Sequence, residues 1–125
     1  MFRAVILEFN SSTGAIQPTK PSDSHYCNPG SEAACVDEKY LFCTVRFCVQ
    51  KLSIAPGAVW RNNEYASDRM LVAVSDYKLS DKPTGKAASV RKRKSGEVEY
   101  FPRGAARQWR SVGSEQTRII AVVFR

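Results

Sequence analysis

Apolar residues recur along this chain at the two-residue period of a β-strand, and no stretch carries the capped apolar stripe of an amphipathic helix. That pattern confines the fold to architectures whose core is built between sheets. Candidate strands occupy residues 2–9, 40–54, 58–65, 70–74, 88–93, 97–101 and 117–124. Turn signals stand between them at Pro56-Gly57, Asp76-Tyr77 and Ser95-Gly96, the last read as a hairpin joining 88–93 to 97–101. Seven or eight short strands at regular spacing predict an all-β sandwich or barrel. A length of 125 residues fits one domain with a real core, residues 1–125, built mainly from 40–125.

Two stretches need separate expectations. Residues 10–38 are polar and carry Gly14, Pro18, Pro21, Pro29 and Gly30, so they read as a long polar loop after a possible extra strand over 1–9. Within 40–54, Val45, Phe47 and Val49 hold one apolar parity and Leu52 and Ile54 the other. A one-residue phase shift of this kind predicts a bulge or break near Gln50-Lys51.

Charge is local. Of the 19 lysines and arginines, ten lie in residues 78–110 with only three acidic residues, so this stretch carries the whole net charge of +7. Its densest piece is Arg91, Lys92, Arg93 and Lys94. Such a run attracts phosphates by counterion release, which suits an interaction module for nucleic acid or another polyanion. The plain alternative is a charged strand edge that keeps a sheet soluble. No aromatic interleaves the run, and no familiar nucleic-acid-binding pattern accompanies it.

The single histidine, His25, excludes any one-chain site that needs two imidazoles. Cys27 and Cys35 flank Asn28-Pro29-Gly30 and are placed to close a small loop, with their redox state left open. Cys43 and Cys48 stand five apart. On one regular strand they face opposite sides and cannot bridge, so they read as small core hydrophobes. No apolar run approaches the roughly 20 residues that span a bilayer, and 2–9 is too short for a secretory leader. A cytoplasmic protein away from membranes is expected.

Gly96, Pro102 and Gly104 stand in the register of the second motif of the cupin superfamily, G-x5-P-x-G-x2-H-x3-N, and the first motif, G-x5-H-x-H-x3-E, can be laid from Gly57. The chain thus resembles a small single-domain cupin over roughly residues 40–125, which implies a jelly-roll β-barrel or sandwich and a homodimer. Every metal-ligand position of the family is changed. The first motif holds Asn63, Tyr65 and Arg69, and the second holds Arg107, with Ser111 in place of the asparagine. Arginine keeps its proton at any accessible pH and is no ligand, so no metal and no cofactor are expected.

The substituted site favours the opposite charge. Arg69 and Arg107 offer planar forks for a carboxylate or phosphate, Asn63 and Tyr65 neutral hydrogen bonds, and Trp60, Phe101 and Trp109 apolar walls. The expectation is a cupin-like barrel of undetermined activity that has lost its metal site, with a small anionic ligand in the barrel as one reading of the substituted positions. Its plain counterpart is a defunct site in which Asp68 or Glu99 pairs with these arginines. A metal-independent sugar-type isomerase or epimerase is a further alternative. That chemistry needs a group titrating near neutrality, and His25 lies outside both motifs.

Overall fold

A computed structural model describes residues 21–62, 67–83, 85–103 and 107–125, with the side chains of Asn62 and Arg107 excepted. Among the described residues there are ten strands and no helix: β1 (Ser24–Cys27), β2 (Cys35–Cys43), β3 (Phe47–Ile54), β4 (Val59–Asn62), β5 (Arg69–Ala73), β6 (Tyr77–Pro83), β7 (Ser89–Arg93), β8 (Val98–Phe101), β9 (Arg107–Ser111) and β10 (Thr117–Phe124). They form a six-stranded sheet, β1-β2-β3-β10-β5-β8, and a four-stranded sheet, β4-β9-β6-β7. Every pairing is antiparallel. The chain is all-β and jelly-roll-like, as expected. The candidate strand over 2–9 lies outside the described residues.

The core forms where the inward parities of the two sheets meet. Leu52 and Ile54 of β3, Leu71 of β5, Ile119 of β10, Leu79 of β6 and Trp109 of β9 are each at most 2% exposed. Alternation puts them all on facing surfaces, with hydrophobic burial as the driving force. Trp60 and Trp109, cross-strand partners in the small sheet, stack with ring centroids 4.5 Å apart, and Phe101 meets Trp109 edge-on at 5.3 Å.

Residues 40–54 do not form one strand. They are the second half of β2, a tight turn, and β3. Thr44 makes the turn: its Oγ1 accepts hydrogen bonds from the backbone N–H of Arg46 and of Phe47. Cys43 and Cys48 thereby become directly opposed partners across a hairpin, and they are joined by a disulfide. The expectation that they cannot bridge fails because five residues along a strand and five around a turn are different geometries.

The phase shift has another origin too. The register of β3 is unbroken against β10, and the bulge sits in β2, between Tyr40 and Phe42. Apolar parity changes because the strand serves two clusters. Leu52 and Ile54 face the interior, whereas Phe47 and Val49 join Val122, Met70, Ile120 and Phe124 on the opposite face of the large sheet.

Two further expectations are corrected. The polar loop of 10–38 contains β1 and the start of β2 within its described part, with Val36 in the core at 1% exposure. The hairpin around Ser95-Gly96 is a turn but not a hairpin. β7 pairs with β6 in the small sheet and β8 with β5 in the large one, so the turn carries the chain between sheets. Gly96 takes a positive φ of 89° there. Ser95 pins the turn to the β5–β6 connection: its N–H donates to Asp76 and its hydroxyl to the Val74 carbonyl. The connection from β5 to β6 crosses between the same two sheets, so the two arches brace each other.

Candidate functional site

Inward alternation from five strands assembles a cavity of about 190 Å³ between the sheets. Its wall includes Glu38 and Tyr40 of β2, Gln50 of β3, Trp60 of β4 and Arg69 of β5, over Ala121 of β10. Arg69 is 3% exposed and Gln50 6%, so a guanidinium and an amide lie in the low-dielectric interior beside this space. The Trp60 indole N–H donates to the Glu38 carboxylate at 2.8 Å. The Arg69 guanidinium lies 5.8 Å from the Trp109 ring centroid.

A second polar group lies at the other end of the aromatic row Trp60–Trp109–Phe101. Arg91 of β7 donates through Nε to Asp81 and through Nη1 to Glu99, each at 2.7 Å, and its guanidinium is 5.1 Å from the Phe101 centroid. Arg93 adds a salt bridge to Glu99 at 2.9 Å, and the Tyr77 hydroxyl donates to the same carboxylate. Asp81 and Glu99 are buried, while Arg91 keeps about a third of its side chain in water. Burial, then the Glu99 charge, pushes the Tyr77 hydroxyl well above its ordinary range. Burial pulls the Arg91 guanidinium down, but its bonds to Asp81 and the Glu99 charge outweigh that and hold it above its ordinary value.

Of the residues singled out by sequence, Trp60, Arg69, Trp109 and Phe101 come together in one row, with Phe101 on the side of Arg91 rather than on the cavity wall. Asn63 and Tyr65 lie outside the described residues. The Arg107 backbone pairs with Asn62 and Pro83, and its side chain is likewise outside them. Asp68 accepts a hydrogen bond from the backbone N–H of Arg103, and Glu99 is engaged by Arg91 and Arg93. Glu38, Tyr40 and Gln50 were missed. The signal for Gln50 was its parity with Leu52 and Ile54; Glu38 fell in the stretch read as a polar loop, and Tyr40 stands at the bulge that breaks the parity of β2.

The basic run is not a uniform patch. Strand alternation turns Arg91 and Arg93 toward interior carboxylates and leaves Lys92 and Lys94 exposed. The groove beside them, about 500 Å³, also holds Asp76, Glu97 and Glu115. Lys78 and Lys92 border this groove and belong to a wider row of cations. On the outward parity of the small sheet stand Arg61, Lys78, Lys82, Lys92 and Arg110, all exposed, and no carboxylate occupies those positions among the described residues.

Two antiparallel sheets packed around an aromatic row define the class as an all-β sandwich or barrel. No protein-family model and no curated protein matches the sequence. Solved structures place the class. A cupin domain from Bordetella pertussis Tohama I matches at a TM-score of 0.65 and 13% identity, covering 77% of this chain and 99% of that one. A cupin 2 conserved barrel domain protein from Salinispora arenicola CNS-205 matches at 0.60 and 17% identity, covering 89% and 91%. The Clostridium difficile EutQ protein matches at 0.56 and 20% identity, covering 78% and 73%. The chain has the cupin fold.

Proposed function

We propose that this protein binds a small anionic molecule, a carboxylate or phosphate, in the cavity beside Arg69, and does so without a metal ion. The observation that carries the reading is a guanidinium only 3% exposed on the wall of a 190 Å³ cavity. A planar fork in a site of low dielectric favours a bidentate oxyanion. Glu38 on the same wall favours a ligand that also brings a hydroxyl or ammonium donor, so a hydroxy acid suits the site better than a bare anion. A metal does not fit the usual place. Arg69 stands at the family's glutamate position, buried against Trp109, and it adds positive charge where a cation would need a ligand.

Binding rather than isomerisation or epimerisation is the reading, since proton transfer needs a base near neutrality. His25 is on β1 and pairs with Asp37 on the exposed face of that ribbon.

Calorimetric titration with a panel of small hydroxy acids, carboxylates and sugar phosphates tests this. Wild type is expected to bind at least one below the millimolar range. Arg69→Gln is expected to weaken it by about 10–100-fold, the worth of a charged hydrogen bond. Arg69→Lys keeps the charge and serves if the Gln variant fails to fold. Silence across the panel for wild type, or full affinity in both variants, overturns the proposal.

The basic face of the small sheet favours a second reading, a polyanion-binding surface. It is carried by Arg61, Lys78, Lys82, Lys92 and Arg110 rather than by residues 91–94 alone.

A further inference from the structure

Independently of the cavity, the outer face of the β1–β2 ribbon carries an arrangement of ligating side chains. Two rungs of the antiparallel ladder face the same way: His25 opposite Asp37, and Cys27 opposite Cys35. Cys27 and Cys35 are joined by a disulfide. The His25 imidazole nitrogen and both sulfurs lie within 4.8 Å of one another. Asp37 bonds the His25 Nδ1, while Nε2 faces the Cys27 sulfur at 3.8 Å.

We infer that Cys27, Cys35 and the Nε2 of His25 form a redox-gated site for a thiophilic divalent cation such as zinc, filled only when the Cys27–Cys35 disulfide is reduced. Three features converge on this. Two thiolates and an imidazole are the donor set that zinc prefers over harder ions. With Zn–N near 2.0 Å and Zn–S near 2.3 Å, the N-to-S edge of a tetrahedron is about 3.5 Å, within a few tenths of an ångström of the 3.8 Å found between His25 and Cys27. Asp37 already does what an outer carboxylate does around a metal. It accepts a hydrogen bond from Nδ1–H, the tautomer whose Nε2 lone pair points toward the sulfurs. The fourth position is open to solvent, since both His25 and Asp37 are more than half exposed.

Disulfide and metal are mutually exclusive because they use the same sulfur electrons. A dithiol reductant gives two electrons and two protons to the S–S bond. Its own two S–H bonds become one disulfide, and Cys27 and Cys35 emerge as thiols. Zinc then replaces the two thiol protons, which pass to solvent. In the reverse direction a peroxide takes two electrons from the thiolates. The protein S–S bond reforms, the O–O bond breaks to two waters with two protons from solvent, and zinc leaves. The ribbon thus holds either a covalent staple or an ion, according to the thiol redox state around it.

Cobalt(II) titration of the full chain is the test, with oxidised protein compared with protein reduced by a phosphine under inert gas. One equivalent is expected to bind the reduced chain, with thiolate-to-cobalt charge-transfer absorption, and none the oxidised chain. Cys43→Ala/Cys48→Ala should bind as wild type does. Cys27→Ala/Cys35→Ala should lose the signal. His25→Ala should weaken binding at least tenfold, and Asp37→Asn by about 10–100-fold. His25→Ala removes an exposed side chain and so stays informative where the cysteine variant fails to fold by circular dichroism. Absence of charge-transfer absorption in the reduced chain overturns the inference. So does equal binding in the oxidised state, or cobalt affinity unchanged in His25→Ala.

Discussion

Asp81 shows how a single residue holds the far end of the sandwich. It is 1% exposed, on the inward face of β6, and takes the Nε–H of Arg91. Removing one member of a buried ion pair strands the other, which costs roughly 3–5 kcal/mol when both are fully buried and far less at the surface. Because Arg91 keeps about a third of its surface in water and retains Glu99, Asp81→Ala is expected to cost about 2 kcal/mol in urea denaturation. A loss below about 0.5 kcal/mol, the scatter of ordinary surface substitutions, would show that the network is not structural. The sequence reads Asp76 as a turn residue but does not mark Asp81 as an inward one. The inward face of Asp81 and its partner follow from the pairing register of β6.

At the scale of elements, the β2–β3 hairpin corrects the sequence reading most sharply. Apolar alternation is blind to a three-residue turn when Val45 and Phe47 continue the pattern through it. Thr44 was the available signal, as a residue whose hydroxyl serves backbone donors two and three positions on. The disulfide that closes this hairpin acts chiefly on the unfolded chain. For so short a loop, the chain-entropy relation gives about 2 kcal/mol. Cys43→Ala/Cys48→Ala should lose about that much in chemical denaturation under oxidising conditions, and nothing relative to wild type once both are reduced. Equal stability in the oxidised state would mean that the two sulfurs are not joined in the protein. The turn at Ser95-Gly96 makes the opposite point. Its composition signalled a turn correctly, but a turn sequence does not say whether its flanks pair with each other or with β6 and β5.

For the whole molecule the distribution of charge matters more than its total. Residues 78–110 carry the net +7, yet the sandwich divides that charge by face. Arg91 and Arg93 are spent on interior carboxylates, and the cations of the small sheet's outer face stand together on strand positions that hold no carboxylate among the described residues, with Asp76, Glu97 and Glu115 along one border beside Lys78 and Lys92. If that face engages a polyanion, retention on immobilised single-stranded DNA should fall steeply with salt. Replacing Lys78, Lys82 and Lys92 with glutamine should flatten the log–log salt slope by about one for each lysine. Arg93→Gln should leave the slope nearly unchanged. Retention that survives the triple substitution, or that vanishes with Arg93→Gln alone, would place the surface elsewhere.

Strand-period alternation and regularly spaced turn residues were enough to specify an all-β sandwich, because alternation follows directly from which side chains a sheet must bury. The glycine and proline offsets pointed to the cupin scaffold, since they mark where the chain has to turn. Arg69 was legible as a charged residue at a family ligand position, and Trp60, Trp109 and Phe101 as its neighbours. Tertiary structure decided the rest. It set which strand meets which, so that Cys43 faces Cys48, Arg91 faces Asp81, Gln50 and Glu38 line the same cavity as Arg69, and His25 stands beside Cys27 and Cys35. Each of these is a long-range or turn-dependent juxtaposition, and a one-dimensional period carries the face of a residue but not the identity of its partner.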